Sequence, residues 1–179
     1  MKIIEKHLKD VNQFKLIQIK DLVFDNYIRS YCERNTCGLY NKSWVCSTNN
    51  QEVFNLKRVL DYQQVLIFNC VYQLADSYDY EAMTSSAKSF TKKIRKIGQT
   101  LKKTNLEFVP FGLGGCDLCK ECTYPEKECR HPDKVIFPIE AIDINVAETA
   151  KKNGFNYING INTVTYFAMF FFSEEVLDV

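Results

Sequence analysis

The chain contains 179 residues, of which 46% are hydrophobic and 25% are charged, and its formal net charge is +1. This size and composition suffice for one domain with a sizeable core, so we predict a single domain over residues 1–179. The nearly balanced charge argues against nucleic-acid binding, because nucleic-acid binders are usually strongly basic. No apolar run approaches the ~20 residues that span a bilayer, so no membrane partner is expected.

The spacing of apolar residues predicts the elements of the first half of the chain. A short peripheral helix is expected over residues 3–11, and an edge strand over residues 14–23. Residues 25–50 have no sustained period and contain three cysteines, so we interpret them as a cysteine-rich loop. A helix over residues 51–61 and a buried strand over residues 64–71 follow.

The second half of the chain alternates helices with strands. Its longest helical pattern covers residues 79–104, with apolar residues on one face and lysines on the opposite face. A strand over residues 106–111, a helix over residues 145–154 capped by Asn145, and a strand over residues 164–172 follow. A strand, a helix and a strand in succession usually form a crossover between parallel strands. We therefore predict an α+β (mixed α/β) fold, with a mixed, mostly parallel sheet that is flanked by helices and carries two cysteine-rich metal-binding loops.

Four cysteines within fourteen residues are the strongest functional signal in the chain. They have the spacing C-x2-C-x2-C-x6-C and are Cys116, Cys119, Cys122 and Cys129. Gly114 and Gly115 precede them and allow the backbone to fold closely around a shared centre. The first three thiols repeat the opening of a bacterial ferredoxin run, which predicts a four-iron iron–sulfur cluster (4Fe-4S). Four thiolates also form common zinc sites, so zinc is one alternative, and a loop of metal-free thiols is the other.

Two polar residues, Arg130 and His131, directly follow the last of these cysteines. Side chains next to a thiolate-bound cluster commonly donate hydrogen bonds or offset its negative charge. We therefore expect both residues beside the centre, in a supporting position rather than as ligands.

A second possible metal site lies in the first loop, at Cys32, Cys37 and Cys46, whose spacing matches no standard zinc knuckle. Three thiol ligands leave one position of a metal centre open, which favours chemistry on a small molecule. Thiols that fill a core, or a redox pair, are the alternatives. Cys70 is expected to be a buried core thiol, although it could complete a set of four with this group.

The number of cysteines also indicates the cellular compartment of the protein. The amino terminus has no apolar segment of signal-peptide length, and the chain contains eight cysteines. Cysteines in a chain without an export signal favour metal or redox use in a reducing compartment over a disulfide framework. We therefore expect a cytoplasmic protein.

Two groups of residues carry a family resemblance. The first loop contains Cys37, Tyr40, Trp44 and Cys46, and the second region contains Gly115, Cys116, Cys119, Cys122, Cys129, Arg130, Pro132, Glu140 and Ala141. In this order they resemble the bacterial and archaeal family of predicted metal-binding proteins. The resemblance implies metal binding, with an iron–sulfur centre as the expected form, and it implies no particular reaction. The chain departs from the family pattern at Ser47-Thr48, in place of a proline pair, and at Pro138-Ile139, in place of Ser-Met.

The leading functional hypothesis is an iron–sulfur protein with one cluster, or two if the first loop is also loaded. It would transfer electrons or supply them to an unidentified redox enzyme, with a redox protein as its partner. The first alternative is a zinc-stabilised interaction module whose contact surface is the basic face of the long helix. The second alternative is an enzyme that uses a three-cysteine cluster with an open iron, so the sequence leaves open whether the protein is an enzyme.

Overall fold

The computed structural model describes residues 8–176. The first part of the predicted helix over residues 3–11 lies outside the described residues, and residues 8–11 form turns and bends. The described chain contains five strands: β1 (Gln13–Gln18), β2 (Gln64–Gln73), β3 (Phe108–Gly112), β4 (Phe137–Pro138) and β5 (Thr163–Phe172). Its α-helices are α1 (Ile28–Glu33), α2 (Asn50–Val53), α3 (Tyr80–Leu101) and α4 (Val146–Lys152). Short 3-10 helices span Ile19–Asp21, Trp44–Cys46, Leu56–Asp61, Pro132–Lys134 and Ile139–Ile142.

The strands form one sheet in the order β1-β2-β5-β3-β4. β1 pairs antiparallel with β2, and β5 pairs antiparallel with both β2 and β3, whereas β3 and β4 are parallel. The α+β class and the mixed sheet are confirmed, but the prediction of a mostly parallel sheet is wrong. β2 and β3 do point in the same direction, as a crossover requires, yet β5 lies between them and runs opposite to both.

β5 takes the central position because it is the most apolar strand of the chain. Its residues from Phe167 to Phe172 are buried, and Met169 pairs with Ile67 of β2 and with Phe111 of β3. A strand with large apolar side chains on both faces is stable only where both faces are covered. Local periodicity reports that such a strand is buried but not which strands flank it, and this is why the parallel pairing was predicted wrongly.

Alternate side chains of the sheet build two cores, one on each face. On one face Phe68 and Phe170 pack against α3, whose buried residues include Phe90. On the opposite face the sheet packs against the loops that carry Cys46, Cys116 and Cys129. Cys70 belongs to the α3 core with 3% exposure, so the expectation of a buried core thiol is confirmed. Because the sheet separates it from the loop cysteines, Cys70 does not complete a set of four with them.

The two helices predicted in the second half are confirmed. α3 begins after Asp79, whose carboxylate accepts a hydrogen bond from the backbone N–H of Ala82. α4 begins after Asn145, whose side chain accepts from the backbone N–H of Glu148 at 3.1 Å. Within residues 8–176, no helix combines the length and the apolarity that crossing a membrane requires.

The helix predicted over residues 51–61 is divided into two pieces. α2 ends at Val53, and a 3-10 helix begins at Leu56 after Asn55, whose φ of 48° lies in the left-handed region. Asparagine tolerates this conformation better than most residues. The bend lets Leu56 and Val59 reach the core, so tertiary packing overrides the local helical period.

Gly112 at the end of β3 tests how tightly the α3 core packs against this strand. An added Cβ would lie 2.6 Å from Ile94 Cδ1 and 3.2 Å from Ile136 Cγ2, so Gly112→Ala should lower the free energy of unfolding by about 1–3 kcal/mol. Gly114→Ala is the matched control, because no atom lies within 4 Å of its added Cβ. Urea denaturation of both variants measures the effect, and equal unfolding midpoints would contradict the prediction.

Candidate metal centres

The second cysteine group, Cys116, Cys119, Cys122 and Cys129, follows directly from the sheet. β3 ends at Gly112, and the chain then turns through Gly115, whose φ of 86° favours glycine. An added Cβ at Gly115 would also lie only 3.1 Å from Leu39 Cδ1. The backbone here therefore needs glycine for its conformation and for its close approach to the first loop.

All four thiols of the second cysteine group line one cavity of about 200 Å³, which we call the small cavity. Arg130 and His131 also line the small cavity, beside the four thiols. None of the four cysteines forms a disulfide. Four soft thiol donors around one cavity fit a thiophilic metal or an iron–sulfur centre.

Among residues 8–176, no three histidine, cysteine, aspartate or glutamate side chains lie close enough together to hold a metal ion. Burial raises the pKa of the Cys116 thiol above its ordinary value. Because thiolates are the ligand form, loading this site with metal has to release protons.

An ion pair ties the second cysteine loop to α3. Arg95 Nη1 donates to Asp117 Oδ2 at 2.8 Å, and Arg95 Nη2 donates to the other carboxylate oxygen. The hydrogen bonds from Arg95 hold the pKa of Asp117 below its ordinary range. Since Asp117 directly follows Cys116, this bidentate contact fixes the start of the loop relative to the helix.

The far side of the second loop packs against the first loop. Trp44 Nε1 donates to the carbonyl of Lys127 at 3.0 Å, and its ring meets that of Tyr124 edge-on with centroids 5.1 Å apart. Arg130 Nη2 donates to the carbonyl of Glu121 at 3.3 Å. The segment between Cys122 and Cys129 is therefore held by Trp44, which the family resemblance includes.

The first cysteine group, Cys32, Cys37 and Cys46, lines a second and larger cavity of about 670 Å³, which we call the large cavity. Cys32 is on α1, Cys46 ends a 3-10 helix, and Cys37 lies between them and is exposed. Burial raises the pKa values of Cys32 and Cys46 above the ordinary value for a thiol. Arg29 organises the first loop, because its guanidinium donates to the carbonyls of Ser47 and Thr48.

Glu140 is part of the family resemblance, but the sequence assigns it no role in a site. It lines the large cavity together with the three thiols of the first cysteine group, and it follows β4 in a 3-10 helix. Burial raises the pKa of its carboxyl group. The family resemblance already pairs Glu140 with Ala141, and that was the available signal. Ser47 and Pro138, where the chain departs from the family pattern, lie in the wall of the same cavity.

The loops that carry the two cysteine groups are in direct contact. The backbone N–H of Gly115 donates to Cys46 Sγ at 3.4 Å, and Gly115 directly precedes Cys116 in the chain. Leu39 and Val45 line both cavities. The structure thus brings together two loops that lie about seventy residues apart in sequence, as the separation of 69 between the hydrogen-bonded residues shows.

Cysteines without disulfide partners around two adjacent cavities define a cysteine-rich protein with the donor set of a metal site. Residues 15–172 match the family model described as Predicted metal-binding protein (DUF2284), so the chain belongs to this family. This match confirms the resemblance seen in the two cysteine motifs. No curated protein and no solved structure is significantly similar to the chain.

Thiol alkylation distinguishes bound cysteines from merely exposed ones. Cys37 and Cys122 are exposed, whereas Cys70 is buried, so iodoacetamide should label the first two rapidly in metal-free protein and Cys70 slowly. In metal-loaded protein the exposed Cys122 should become protected, because a metal-bound thiolate is no longer a free nucleophile. Peptide mass mapping measures how fast each cysteine is alkylated. Equally fast labelling of Cys122 with and without metal would contradict its role as a ligand.

Proposed function

We propose that the protein binds a 4Fe-4S iron–sulfur cluster through Cys116, Cys119, Cys122 and Cys129, and that it transfers electrons. The observation that carries the proposal is the small cavity, which four thiols from one short segment line together. When bound, a cluster of this type supplies reversible electron transfer at a potential set by its surroundings. Arg130 and His131 would offset its negative charge from the cavity wall.

The sequence spacing of the thiols favours a cluster over zinc. Cys116, Cys119 and Cys122 follow one another at two-residue intervals, as in the opening of a bacterial ferredoxin run. A structural zinc site of four cysteines usually takes its ligands from two separated C-x2-C pairs. All four residues of the second cysteine group also line one cavity, which supports a single shared centre.

The position of the second cysteine group suits exchange of electrons with a partner. Cys122 is exposed and the other three thiols are partly buried, so the proposed centre lies close to the surface. Cys116 is also one residue from the Gly115 amide that contacts Cys46. An electron accepted at the surface would thus have a short route, through the Gly115 amide and its hydrogen bond, to the first cysteine group.

The large cavity supports a second candidate function, reduction of a small molecule at the first cysteine group. Its volume of about 670 Å³ lies within the range of about 300–1,000 Å³ that is typical of small-molecule sites. Cys32, Cys37 and Cys46 supply three thiols, which leave one position of a bound metal open. Glu140 provides the acidic group in the same cavity. The second cysteine group would then supply electrons to this site within one chain.

Iron and acid-labile sulfide analysis of anaerobically purified protein tests the proposed cluster. Wild-type protein should contain iron and sulfide in equal amounts, with about four of each for one cluster and about eight for two. Cys119→Ser should remove about four of each, because it removes a ligand from the small cavity. Cys70→Ser is the matched control and should leave both contents unchanged, since Cys70 lies in the α3 core. Zinc without sulfide in the wild type would overturn the proposal.

Substitution of Cys37 tests the second candidate function separately. If the first cysteine group also holds a cluster, Cys37→Ser should lower the iron content from about eight to about four per chain. Cyanide, a small anion that binds open metal positions, should change the electron paramagnetic resonance spectrum of reduced wild-type protein. It should also change that of Cys119→Ser, but not that of Cys37→Ser. A cyanide effect that survives in Cys37→Ser would exclude the first cysteine group as the open site.

A further inference from the structure

The solvent-facing side of α3 carries an unusual concentration of positive charge. From Ala82 to Leu106 the chain contains no acidic residue, although its net charge is only +1. The basic residues of this stretch are Lys88, Lys92, Lys93, Arg95, Lys96, Lys102 and Lys103. Positive charge is therefore local to this helix and its end rather than spread over the protein.

Three of these lysines form one continuous surface, which we call the basic face. At about 100° per residue, Lys88, Lys92 and Lys96 fall within about 80° of arc on α3. All three are exposed. The buried residues of the helix, among them Phe90 and Ile94, lie on the opposite side and pack against the sheet.

In residues 8–176 no carboxylate forms an ion pair with Lys88, Lys92 or Lys96, and the one acidic residue of α3, Glu81, lies in its first turn. Among the described residues, the ion pair on this helix is that of Arg95 with Asp117. Lys93 and Lys102 donate to backbone carbonyls, those of Asp10 and Asp133, and this does not cancel their charge. The basic face thus projects a positive potential that attracts an acidic surface.

The basic face borders the second cysteine group. Arg95 is adjacent to Lys96 and holds Asp117, which directly follows Cys116. At the end of α3, Lys102 contacts the carbonyl of Asp133, two residues after His131 in the wall of the small cavity. A protein seated on the basic face would therefore lie next to the thiols of the small cavity.

We propose that the basic face docks an acidic electron-transfer protein, which exchanges single electrons with the centre held by the second cysteine group. This proposal rests on the proposed function. In each encounter the reduced carrier loses one electron and the oxidised centre gains it, so that no further reactant is required. Charge complementarity supports the acidic partner, and contact with the second cysteine loop supports a redox partner over nucleic acid. Nucleic-acid binders also usually carry a more strongly basic domain than this one.

Stopped-flow reduction by a dithionite-reduced acidic [2Fe–2S] ferredoxin provides the test. The triple variant Lys88→Glu/Lys92→Glu/Lys96→Glu reverses the basic face. The matched control, Lys20→Glu/Lys57→Glu/Lys151→Glu, makes the same change in net charge at exposed positions outside α3. Electrostatic steering changes association rates by about 10–10³-fold. We therefore expect the basic-face variant to lower the bimolecular rate by about 10-fold or more at low salt, and the control by less than about 2-fold.

Ionic strength provides the second readout. The wild-type rate should fall steeply between low and high salt, and the basic-face variant should lose most of this dependence, because salt screens exposed charges beyond a Debye length of about 10 Å at 0.1 M. A wild-type rate that is independent of salt would overturn the docking site. An equal loss of rate in the control variant would do the same.

Two further measurements separate the docking site from the proposed cluster. Iron, sulfide and the circular dichroism melting curve are measured for every variant before kinetics. A wild-type protein without iron and sulfide overturns both proposals. If the protein contains the cluster but the basic-face variant is reduced as fast as the wild type, only the docking site is overturned. A 20-base-pair DNA duplex that binds more tightly than the ferredoxin, and that the basic-face variant no longer binds, would assign this surface to nucleic acid instead.

Discussion

The hydrogen bond from the Gly115 amide to Cys46 Sγ joins two loops that have little regular structure of their own. Gly115 can reach Cys46 because its backbone adopts a positive φ and because it has no Cβ to meet Leu39. β3 delivers it to this point, and β3 is held in turn by its register with β5. The Gly115–Cys46 contact therefore depends on the central strand of the sheet. This contact in turn helps to set the relative position of the two cysteine groups.

The two faces of the sheet have different roles. One face binds α3 through an aromatic core, and the other carries both cysteine loops. The Arg95–Asp117 ion pair links the two sides around the end of the sheet. Because that pair is partly exposed, its contribution lies less in stability than in fixing where the loop begins relative to the helix. The same link brings the uncompensated lysines of α3 next to the second cysteine group.

The cavities differ in a way that suits different chemistry. The small cavity is bounded by four thiols, Arg130 and His131, and it leaves little room for a further molecule. The large cavity combines three thiols with Glu140 and has the volume of a small-molecule site. Under the proposed function the second cysteine group would store and pass electrons, and under the second candidate function the first cysteine group would use them. Glu140 keeps its proton more readily than an exposed glutamate, because burial raises its pKa.

Local sequence determined much of this protein. The four-cysteine spacing with its preceding glycines indicated a metal loop, the 3.6-residue period located α3, and Asn145 predicted the start of α4. Each of these signals depends on residues close together in the chain. The family match over residues 15–172 confirms the family that the two cysteine motifs indicated.

Tertiary structure alone decided the pairings between distant segments. The insertion of β5 between β2 and β3 places its apolar half, Phe167 to Phe172, at the centre of the sheet, where both faces are covered, and no local pattern encodes its neighbours. Local sequence likewise does not encode the Gly115–Cys46 contact or the position of Glu140 in the large cavity. A motif specifies which donor atoms a chain offers, whereas the packing of the sheet decides which of those atoms share a cavity.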